Sequence, residues 1–291
     1  MNQSTITLIP NGGIGNRIRV ISSGLNYAKK RNSKLNILWK LDDGLNCNFE
    51  DLFLPNPNIQ ITNQKYRLWD KIIKRVNLFV NFKSLITFFI SNDIFFSEKK
   101  LYSMLNKGYK IDDFENCFNK IKDSKNVTIE CCWQFYPKIE NINIYLQPKK
   151  SIQDSITEFS KKFNPNTIGV HIRRTDNVKS IQFSSIDLFI QKIDAFIELE
   201  PAIMFFLSTD DTSLQIELKK KYQARLIYFS ELKSRNSKTG LEQALVDMYL
   251  LSKTNKILGS YWSTFSLVAS EIGNIDLEIV SHDTENLKPI Y

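Results

Sequence analysis

Two adjacent arginines follow an apolar stretch in TIGVHIRRTDN, residues 167–177. A strand without polar alternation is typical of a parallel sheet that is covered on both faces. If the strand continues regularly, His171 and Arg173 lie on one face and Arg174 lies on the other. Two arginines at a buried strand end repel each other unless an anion neutralises them. A diphosphate suits the bidentate geometry of a guanidinium, and an ion pair with Asp176 is the alternative.

A glycine-rich turn, NGGIGNR at residues 11–17, places Gly13 and Gly15 between a predicted strand and a predicted helix. Glycine lets the backbone turn tightly and approach a ligand closely. The helix N-terminus that follows offers free N–H groups to an anion, and Asn16 and Arg17 add further donors. Because the third glycine of a dinucleotide fingerprint is missing, a tight turn without a ligand is the competing interpretation.

Two carboxylates, Asp210 and Asp211, end the next predicted strand in FFLSTDD. We expect one of them to cap the following helix. The other is then available to accept hydrogen bonds from a sugar or base, or to neutralise the arginines. A metal-binding pair is the alternative, although the sequence directly around it offers no His or Glu to complete a ligand set.

Asp247 lies beside the apolar face of a predicted helix at residues 241–253. A partly buried aspartate needs hydrogen-bond donors, and the ring N–H and amine of a purine base supply two. Ser263 and Thr264 begin a later predicted helix, either as ordinary caps or as ligands of a phosphate.

The elements that position these residues alternate between strand and helix, which predicts an α/β fold with mostly parallel sheets. A strand at 5–10, a helix at 16–30 and a strand at 34–39 form an N-terminal βαβ unit, whereas residues 45–150 give no readable pattern. The C-terminal helices are predicted at 151–162, 185–199, 241–253 and 264–272, with one more beginning at Thr212, and the strands at 167–173, 202–208, 225–229, 256–259 and 277–280.

We therefore predict two Rossmann-like domains, residues 1–148 and 149–291. The content of 42% apolar and 24% charged residues is that of a globular protein and argues against a disordered chain. A net charge of +8 favours an anionic partner, for which nucleic acid, phospholipid and nucleotide phosphate all qualify. The basic runs KIIKR at 71–75 and ELKKKY at 217–222 are the features on which a nucleic-acid or lipid-binding function would rest.

Four cysteines and two histidines show no zinc-ligand spacing and no disulfide framework. The start of the chain, MNQSTITLIP, lacks the basic region and cleavage site of a signal peptide, so we expect a cytoplasmic protein. Residues 71–96 are rich in Phe, Ile and Leu but are interrupted by polar residues, so they do not span a bilayer. We expect a helix there that covers the core of the first domain, with an interfacial helix on anionic lipid as the alternative.

The motifs together resemble the GDP-fucose-dependent fucosyltransferases. The similarity rests on GGIGNR, GVHIRRTD, FFLSTDD and LEQALVDMYLLSKTNKILGSYWSTFSLVA, and it covers residues 5–39 and 145–272. The Arg-Arg-Thr-Asp form is nearest to the α1,6 and nodulation-type branch of that superfamily.

The resemblance implies a GT-B fold in which the N-terminal domain holds the acceptor and the C-terminal domain holds GDP-fucose. It implies an inverting transfer of fucose to a glycan or glycolipid hydroxyl, without a metal ion and with no cofactor besides the donor substrate. In this pattern Arg173 binds the β-phosphate and offsets charge as GDP leaves, Asp247 binds the guanosine, and Asn16 reaches the reaction centre. The other implied donor-site residues are Gly13, Gly15, Arg17, His171, Arg174, Asp176, Asp210, Asp211, Ser263, Thr264 and Phe265.

The general base stays unassigned. The α1,6 branch places a glutamate shortly after the Arg-Arg-Thr-Asp motif, and NVKSIQF at residues 177–183 contains none. Asp176 is the nearest carboxylate, Asp42 or Asp43 could act from the acceptor side, and a displacement without a dedicated base is the third possibility.

We therefore expect a cytoplasmic fucosyltransferase of bacterial type that builds a surface glycan, with no nucleic-acid partner. Peripheral attachment to the inner membrane face through residues 71–96 stays open. A glycosyltransferase that uses another nucleotide sugar, such as GDP-mannose, is the first alternative. A basic protein that binds nucleic acid or a lipid surface is the second.

Overall fold

The structure is a computed structural model that describes residues 3–42, 44–65, 94–123, 125–230 and 237–282. The chain divides into two compact units, Met1–Gln147 and Pro148–Tyr291. Each unit contains one five-stranded sheet in which all paired strands are parallel. The α/β prediction is therefore confirmed in both units.

The first unit has the strand order β3-β2-β1-β5-β4. In β1 and β2 every second side chain is buried, and this alternation places Ile6, Leu8, Leu35 and Ile37 on one face of the sheet. The strands are β1 Thr5–Pro10, β2 Lys34–Leu41, β3 Ile59–Lys65, β4 Ile94–Phe96 and β5 Val127–Cys131. The helices are α1 Ile14–Arg31, α2 Phe49–Leu52, α3 Glu98–Asn106 and α4 Ile111–Asn119.

Helix α1 packs against β1 at Gly24, where a Cβ atom would lie 2.2 Å from the Leu8 side chain. The absence of a side chain at this position therefore sets how closely α1 approaches the sheet. The helix ends at Asn32, which adopts a left-handed conformation with φ of 50°. Lys29, Lys30 and Arg31 occupy its last turn, where positive charge is favoured by the helix dipole.

The second unit has the strand order β10-β9-β6-β7-β8. All residues of β6 and β7 are buried, in agreement with the predicted absence of polar alternation. The strands are β6 Ile168–Ile172, β7 Phe205–Thr209, β8 Leu226–Ile227, β9 Lys256–Ser260 and β10 Asp276–Val280. The helices are α5 Lys150–Ser160, α6 Val178–Phe183, α7 Ile186–Leu199, α8 Thr212–Tyr222, α9 Lys238–Leu251 and α10 Thr264–Gly273.

The two faces of the second sheet are covered by different helices and in different ways. Val170 and Ile172 pack into one apolar cluster with Phe189 of α7 and Leu214 of α8. On the other face, glycines allow close approach of the covering segments, since a Cβ atom on Gly259 would lie 2.6 Å from the Ser266 Oγ of α10. Helix α9 packs between α5 and α10 on this side.

The predicted elements and the observed ones differ in several places. The predicted strand 225–229 is reduced to β8, and the predicted strand 202–208 begins only at Phe205. Helix α6 was not predicted, and neither were the elements between residues 45 and 150. Of residues 71–96, the structure describes only 94–96, which form β4, so the expected helix lies outside the described residues.

No helix among the described residues is both long and apolar enough to cross a membrane.

The close packing of α1 on β1 leads to a stability prediction. Because Leu8 is fully buried, we expect Gly24→Ala to lower the free energy of unfolding by about 1–3 kcal/mol through overpacking. Gly13→Ala at the start of the same helix is the control, since no atom lies within 4 Å of the added Cβ. Its cost should stay below about 1 kcal/mol. Urea unfolding of both variants measures the difference, and equal losses would contradict this packing.

Candidate functional site

The order of the strands locates a ligand site in the second unit. From β6 the chain proceeds through β7 to β8 on one side, and then to β9 and β10 on the other, so the strand order reverses between β6 and β9. Ligands of open α/β sheets bind beyond the carboxyl ends of the strands at such a point. The Arg-Arg-Thr-Asp segment follows β6 here, and the segment Tyr261–Phe265 follows β9.

His171 lies near the end of β6 and is buried. Its ring stacks on the ring of Phe265, with 4.8 Å between centroids and an interplanar angle of 24°. Burial lowers the pKa of His171 to about 3, so the imidazole is neutral at physiological pH. Its Nδ1 atom is buried and has no hydrogen-bond partner.

Asp247 projects from α9 toward β7 and is only 7% exposed. One carboxylate oxygen lies 3.4 Å from the Ser208 hydroxyl, and Ser208 is the β7 residue paired with His171 in the sheet. The other oxygen, Oδ1, is buried without a partner. Burial raises the pKa of Asp247 to about 8, and the Ser208 hydrogen bond only partly opposes this rise.

The guanidinium of Arg173 forms ion pairs with Asp210 and Asp176. Asp210 also accepts hydrogen bonds from the Arg174 backbone N–H at 2.8 Å and from the Thr175 hydroxyl at 2.6 Å. Burial alone would raise the pKa of Asp210, but the charge of Arg173 and these hydrogen bonds hold it below its usual value. Of the two roles considered for the second carboxylate of the Asp210–Asp211 pair, the structure shows neutralisation of one arginine, Arg173. Asp176 forms the ion pair that was the alternative to a phosphate contact.

The alternation expected for the two arginines is not realised, because β6 ends at Ile172 and both residues lie beyond it. The Arg173 N–H donates to the Ser260 hydroxyl at the end of β9, at 3.0 Å. The Arg174 side chain differs from that of Arg173, because its Nη1 atom is buried without a hydrogen-bond partner.

Asp211 is the carboxylate that caps a helix, as predicted for one member of the pair. It accepts a hydrogen bond from the Leu214 N–H of α8 at 3.1 Å. Asp210 and Asp211 therefore serve different partners. No group of three or more potential metal-ligating side chains was found in the part of the chain that the structure describes.

Ser263 occupies the N-cap position of α10, but its side chain makes no capping hydrogen bond. The ordinary cap considered for Ser263 is therefore not formed, although Thr264 begins the helix as predicted. The first N–H groups of α10 are thus not satisfied by the Ser263 side chain, and they lie beside the stacked rings of Phe265 and His171.

In the first unit, Gly12 adopts a positive φ of 80° in the turn between β1 and α1. The Asn16 amide lies over this turn, since a Cβ atom on Gly12 would be 2.7 Å from Asn16 Nδ2. Gly13 is the N-cap residue of α1, and Gly15 is buried in its first turn. The turn is therefore tight, as predicted, and Asn16 covers it.

The surroundings of Arg17 argue against the expected contact with a ligand, because its side chain is fully buried and already bound to protein groups. It donates to the Gly12 carbonyl at 2.8 Å, to the Lys40 carbonyl at 2.6 Å and to the Asp42 carboxylate at 3.0 Å. Its guanidinium also lies 4.8 Å from the centre of the Trp39 ring. Arg17 therefore holds the glycine turn to β2.

Asp42 is engaged in the same way. Besides Arg17, it accepts hydrogen bonds from the N–H groups of Gly44 and Leu45 at 2.9 and 3.0 Å. A base role for Asp42 is therefore disfavoured, and Asp43 lies outside the described residues.

Several polar residues at strand ends were missed by sequence reasoning. In the first unit the Asn11 amide donates to Glu98 at 2.6 Å, and Lys40 pairs with Glu130 at 2.8 Å. In the second unit the missed contributors are Ser208 and Ser260. Glu98 and Glu130 lie in the stretch without a readable pattern, whereas Ser208 stands inside FFLSTDD and could have been found from its position before the carboxylates.

Comparison with known proteins agrees with this geometry. A sequence model described as alpha-(1,6)-fucosyltransferase N- and catalytic domains matches residues 139–291 of the 291-residue chain. The chain belongs to this fucosyltransferase family. The matched range contains every strand and helix of the second unit.

Solved structures show the same fold as the fucosyltransferase at low sequence identity. Fucosyltransferase NodZ from Bradyrhizobium is 16% identical with a TM-score of 0.62, over 92% of this chain and 93% of NodZ. A mutant of Arabidopsis thaliana FUT1 in complex with GDP is 16% identical with a TM-score of 0.61, over 99% of this chain and 73% of FUT1. POFUT1 in complex with GDP is 12% identical with a TM-score of 0.55, over 96% and 99% of the two chains. The fucosyltransferase therefore has the GT-B fold that the resemblance implied.

The raised pKa of Asp247 leads to a prediction about stability and pH. The folded protein keeps this carboxyl protonated up to about pH 8, whereas the unfolded chain releases the proton near pH 3.8. Stability contributed by this group therefore falls as pH rises between these values. We expect Asp247→Asn to raise the Tm of the ligand-free enzyme more at pH 8 than at pH 5.

The control is Asp276→Asn at the exposed start of β10. Differential scanning calorimetry across this pH range measures both variants. A gain for Asp247→Asn that is the same at both pH values would show that the carboxyl does not titrate in this way.

Proposed function

We propose that this fucosyltransferase transfers fucose from GDP-fucose to a hydroxyl group of a glycan, with the donor bound by the second unit. The observation that carries the proposal is a group of buried polar atoms without hydrogen-bond partners. Such atoms are rare in folded proteins because each one loses its water without replacement. In the described part of the second unit they are His171 Nδ1, Arg174 Nη1, Asp247 Oδ1 and Ser266 Oγ.

These four residues come from segments that meet at the reversal of strand order. His171 pairs with Ser208 on one side, which contacts Asp247, and with Gly259 on the other, which contacts Ser266. His171 Nδ1 and Ser266 Oγ belong to neutral groups, Arg174 Nη1 belongs to a cation, and Asp247 Oδ1 belongs to a carboxyl group. A ligand that satisfies this set must carry both hydrogen-bond donors and negative charge, as a guanosine diphosphate does.

Asp247 is suited to read the guanine base. The ring N1–H and the 2-amino group of guanine favour the ionised form of Asp247, and the carboxylate then accepts from both groups at the same time. Adenine and uracil do not offer this pair of donors. The buried position of Asp247 makes such a contact selective, because a base without matching donors leaves the carboxyl unsatisfied.

The diphosphate is expected to bind where positive charge and the backbone N–H groups of a helix N-terminus meet. Arg174 supplies a guanidinium with an unsatisfied Nη1, and the N-terminus of α10 supplies backbone N–H groups next to Ser263. Arg173 lies at the same strand end, with its charge shared between Asp210 and Asp176. Arg174 is therefore better placed than the sequence suggested, and Arg173 must loosen one ion pair to bind a phosphate.

In the proposed reaction the acceptor oxygen attacks the anomeric carbon of fucose as the bond to the β-phosphate breaks. The acceptor hydroxyl releases its proton to water, since no side chain is assigned as the base, GDP leaves with the bonding electrons, and the anomeric configuration inverts. The arginines and the α10 N–H groups stabilise the charge that develops on the leaving diphosphate. We propose that this positive charge fulfils the role of a metal ion.

We assign the acceptor to the first unit. Asn16 is the residue there that the resemblance associates with the reaction centre, and it lies over the glycine turn at the carboxyl end of β1. We further propose that the acceptor belongs to a bacterial surface glycan.

A calorimetric comparison of nucleotides tests the donor. We expect GDP to bind and UDP and ADP to bind at least about 100-fold more weakly, because Asp247 requires paired donors. Inosine diphosphate, which lacks the 2-amino group, should bind roughly 10- to 100-fold more weakly than GDP. Asp247→Asn should reduce this difference, whereas Asp276→Asn should preserve it. Equal binding of all the nucleotides would contradict a guanine site.

The donor sugar is tested separately by GDP release from GDP-fucose and from GDP-mannose. Preferential turnover of GDP-fucose supports the proposal. Turnover of GDP-mannose alone would replace fucose with mannose and leave the nucleotide site in place.

Substitutions of Arg173 and Arg174 should affect different parameters, the kcat of transfer and the Kd of GDP respectively. Arg174→Ala is expected to raise the Kd of GDP about 10- to 100-fold, because the diphosphate loses a charged hydrogen-bond donor. Arg173→Ala is expected to lower kcat for GDP-fucose about 10²–10³-fold, as for the loss of one charge-stabilising donor. Arg225→Ala removes a similar charge at the amino end of β8 and serves as the control. Equal effects of all three variants would show that only overall charge matters.

A further inference from the structure

Trp262 has an unusual backbone conformation beside the proposed diphosphate site. Its φ of 59° lies in the left-handed region, which a bulky side chain rarely adopts. Trp262 directly precedes Ser263, the N-cap residue of α10. Residues in such conformations persist only when surrounding contacts hold them, and they concentrate at functional sites.

The contacts that hold this turn come from the segment that follows the Arg-Arg-Thr-Asp motif. The Asn177 amide donates to the Trp262 carbonyl at 3.0 Å, and the Ser180 hydroxyl donates to the Tyr261 carbonyl at 2.6 Å. The Tyr261 N–H donates to the Ser184 hydroxyl at 2.8 Å. Helix α6 and its two capping residues therefore bind the backbone of both Tyr261 and Trp262.

Asn177 has two separate functions in this arrangement. Its Oδ1 atom caps α6 by accepting from the Ser180 N–H at 3.0 Å, while its Nδ2 atom reaches the Trp262 carbonyl. The Lys179 ammonium lies 3.5 Å from the centre of the Trp262 ring and holds the side chain from the same helix. The ring and the carbonyl of Trp262 are thus both fixed by α6.

A peptide unit is planar, so fixing a carbonyl also fixes the direction of the N–H group on the other side of the same peptide. The Trp262 carbonyl and the Ser263 N–H belong to one peptide unit. The Asn177 bond therefore sets where the Ser263 N–H points and how the chain enters α10.

We propose that Asn177 is a positioning residue that holds the Trp262 turn so that the first N–H groups of α10 face the diphosphate of the donor. This inference rests on the proposed function, because it requires a diphosphate at α10. It assigns a use to the segment after the Arg-Arg-Thr-Asp motif, which carries no carboxylate for base catalysis in this chain.

Asn177→Ser is the decisive variant, because serine still caps a helix but is too short to reach the Trp262 carbonyl. We expect the Kd of GDP to rise roughly 10-fold, as for a misplaced binding group. The affinity for guanosine should change less than about twofold, because guanosine has no phosphate for the α10 N–H groups to bind. A general loss of structure would weaken both ligands.

Trp262→Gly tests the conformational part of the proposal. Glycine adopts positive φ without a steric penalty, so the turn should no longer depend on Asn177. In this background Asn177→Ser should change the GDP affinity less than about threefold, which is a coupling measured by a double-mutant cycle. Trp262→Asn is a second background, because asparagine also tolerates this region.

Asn164→Ser is the matched control. Asn164 also donates through Nδ2 to a loop carbonyl, that of Ala202 at 3.1 Å, and accepts through Oδ1 from the Asn166 N–H at 3.0 Å. Asn164 precedes β6 and Asn177 follows it, so the two residues lie at opposite ends of this strand. The Asn164→Ser variant should bind GDP with the same affinity as the wild type.

Isothermal titration calorimetry of GDP and guanosine, with the Tm of each variant as the test of folding, gives the result. The proposal is overturned if Asn177→Ser leaves GDP binding unchanged, weakens guanosine equally, or costs the same affinity in the Trp262→Gly background. If the wild-type enzyme binds guanosine but not GDP, this inference fails and the guanine site stands. If it binds neither, the proposed function fails as well.

Discussion

Asp210 is the carboxylate on which the organisation of the second unit depends. It receives the Arg173 guanidinium, the Arg174 backbone N–H and the Thr175 hydroxyl, three successive residues beyond β6. Without it, two arginines at the end of a fully buried strand would repel each other in a medium that screens charge poorly. With it, the chain turns away from the sheet in a fixed direction, and the Arg174 side chain keeps an unsatisfied donor.

The other site groups depend on how closely the helices approach the sheet. Gly259 lies in β9 beside His171, and its lack of a side chain lets α10 bring Ser266 and Phe265 over that strand end. Helix α9 packs against α10 and places Asp247 over β7. The apolar cluster with α7 and α8 stabilises the sheet from its opposite face. The face toward α9 and α10 therefore tolerates buried polar atoms without hydrogen-bond partners.

Those unsatisfied atoms have a cost in the ligand-free protein. Each buried polar atom without a partner destabilises the fold by about 1–3 kcal/mol. Under the proposed function the bound donor returns the hydrogen bonds that folding removed from the atoms of the second unit, which offsets this cost. The same explanation does not apply to Arg17, which is buried with each guanidinium nitrogen donating to a protein oxygen and therefore stabilises the first unit without a ligand.

The sequence by itself determined the strand and helix alternation, the parallel sheets and the residue types at the strand ends, because burial on both faces and helical periodicity are local patterns. It also predicted that one carboxylate of the Asp210–Asp211 pair caps a helix, since capping needs only the next residues, but only the structure showed that this residue is Asp211. Tertiary structure decided which charges remain available. Arg17 lies in α1 and Asp42 follows β2, 25 residues later, and the two meet only in the folded first unit. Asp210 binds the Arg174 backbone, and the Arg174 Nη1 atom is left buried without a hydrogen-bond partner. The left-handed turn at Trp262 was equally invisible, because the contacts that hold it come from residues more than 75 positions away.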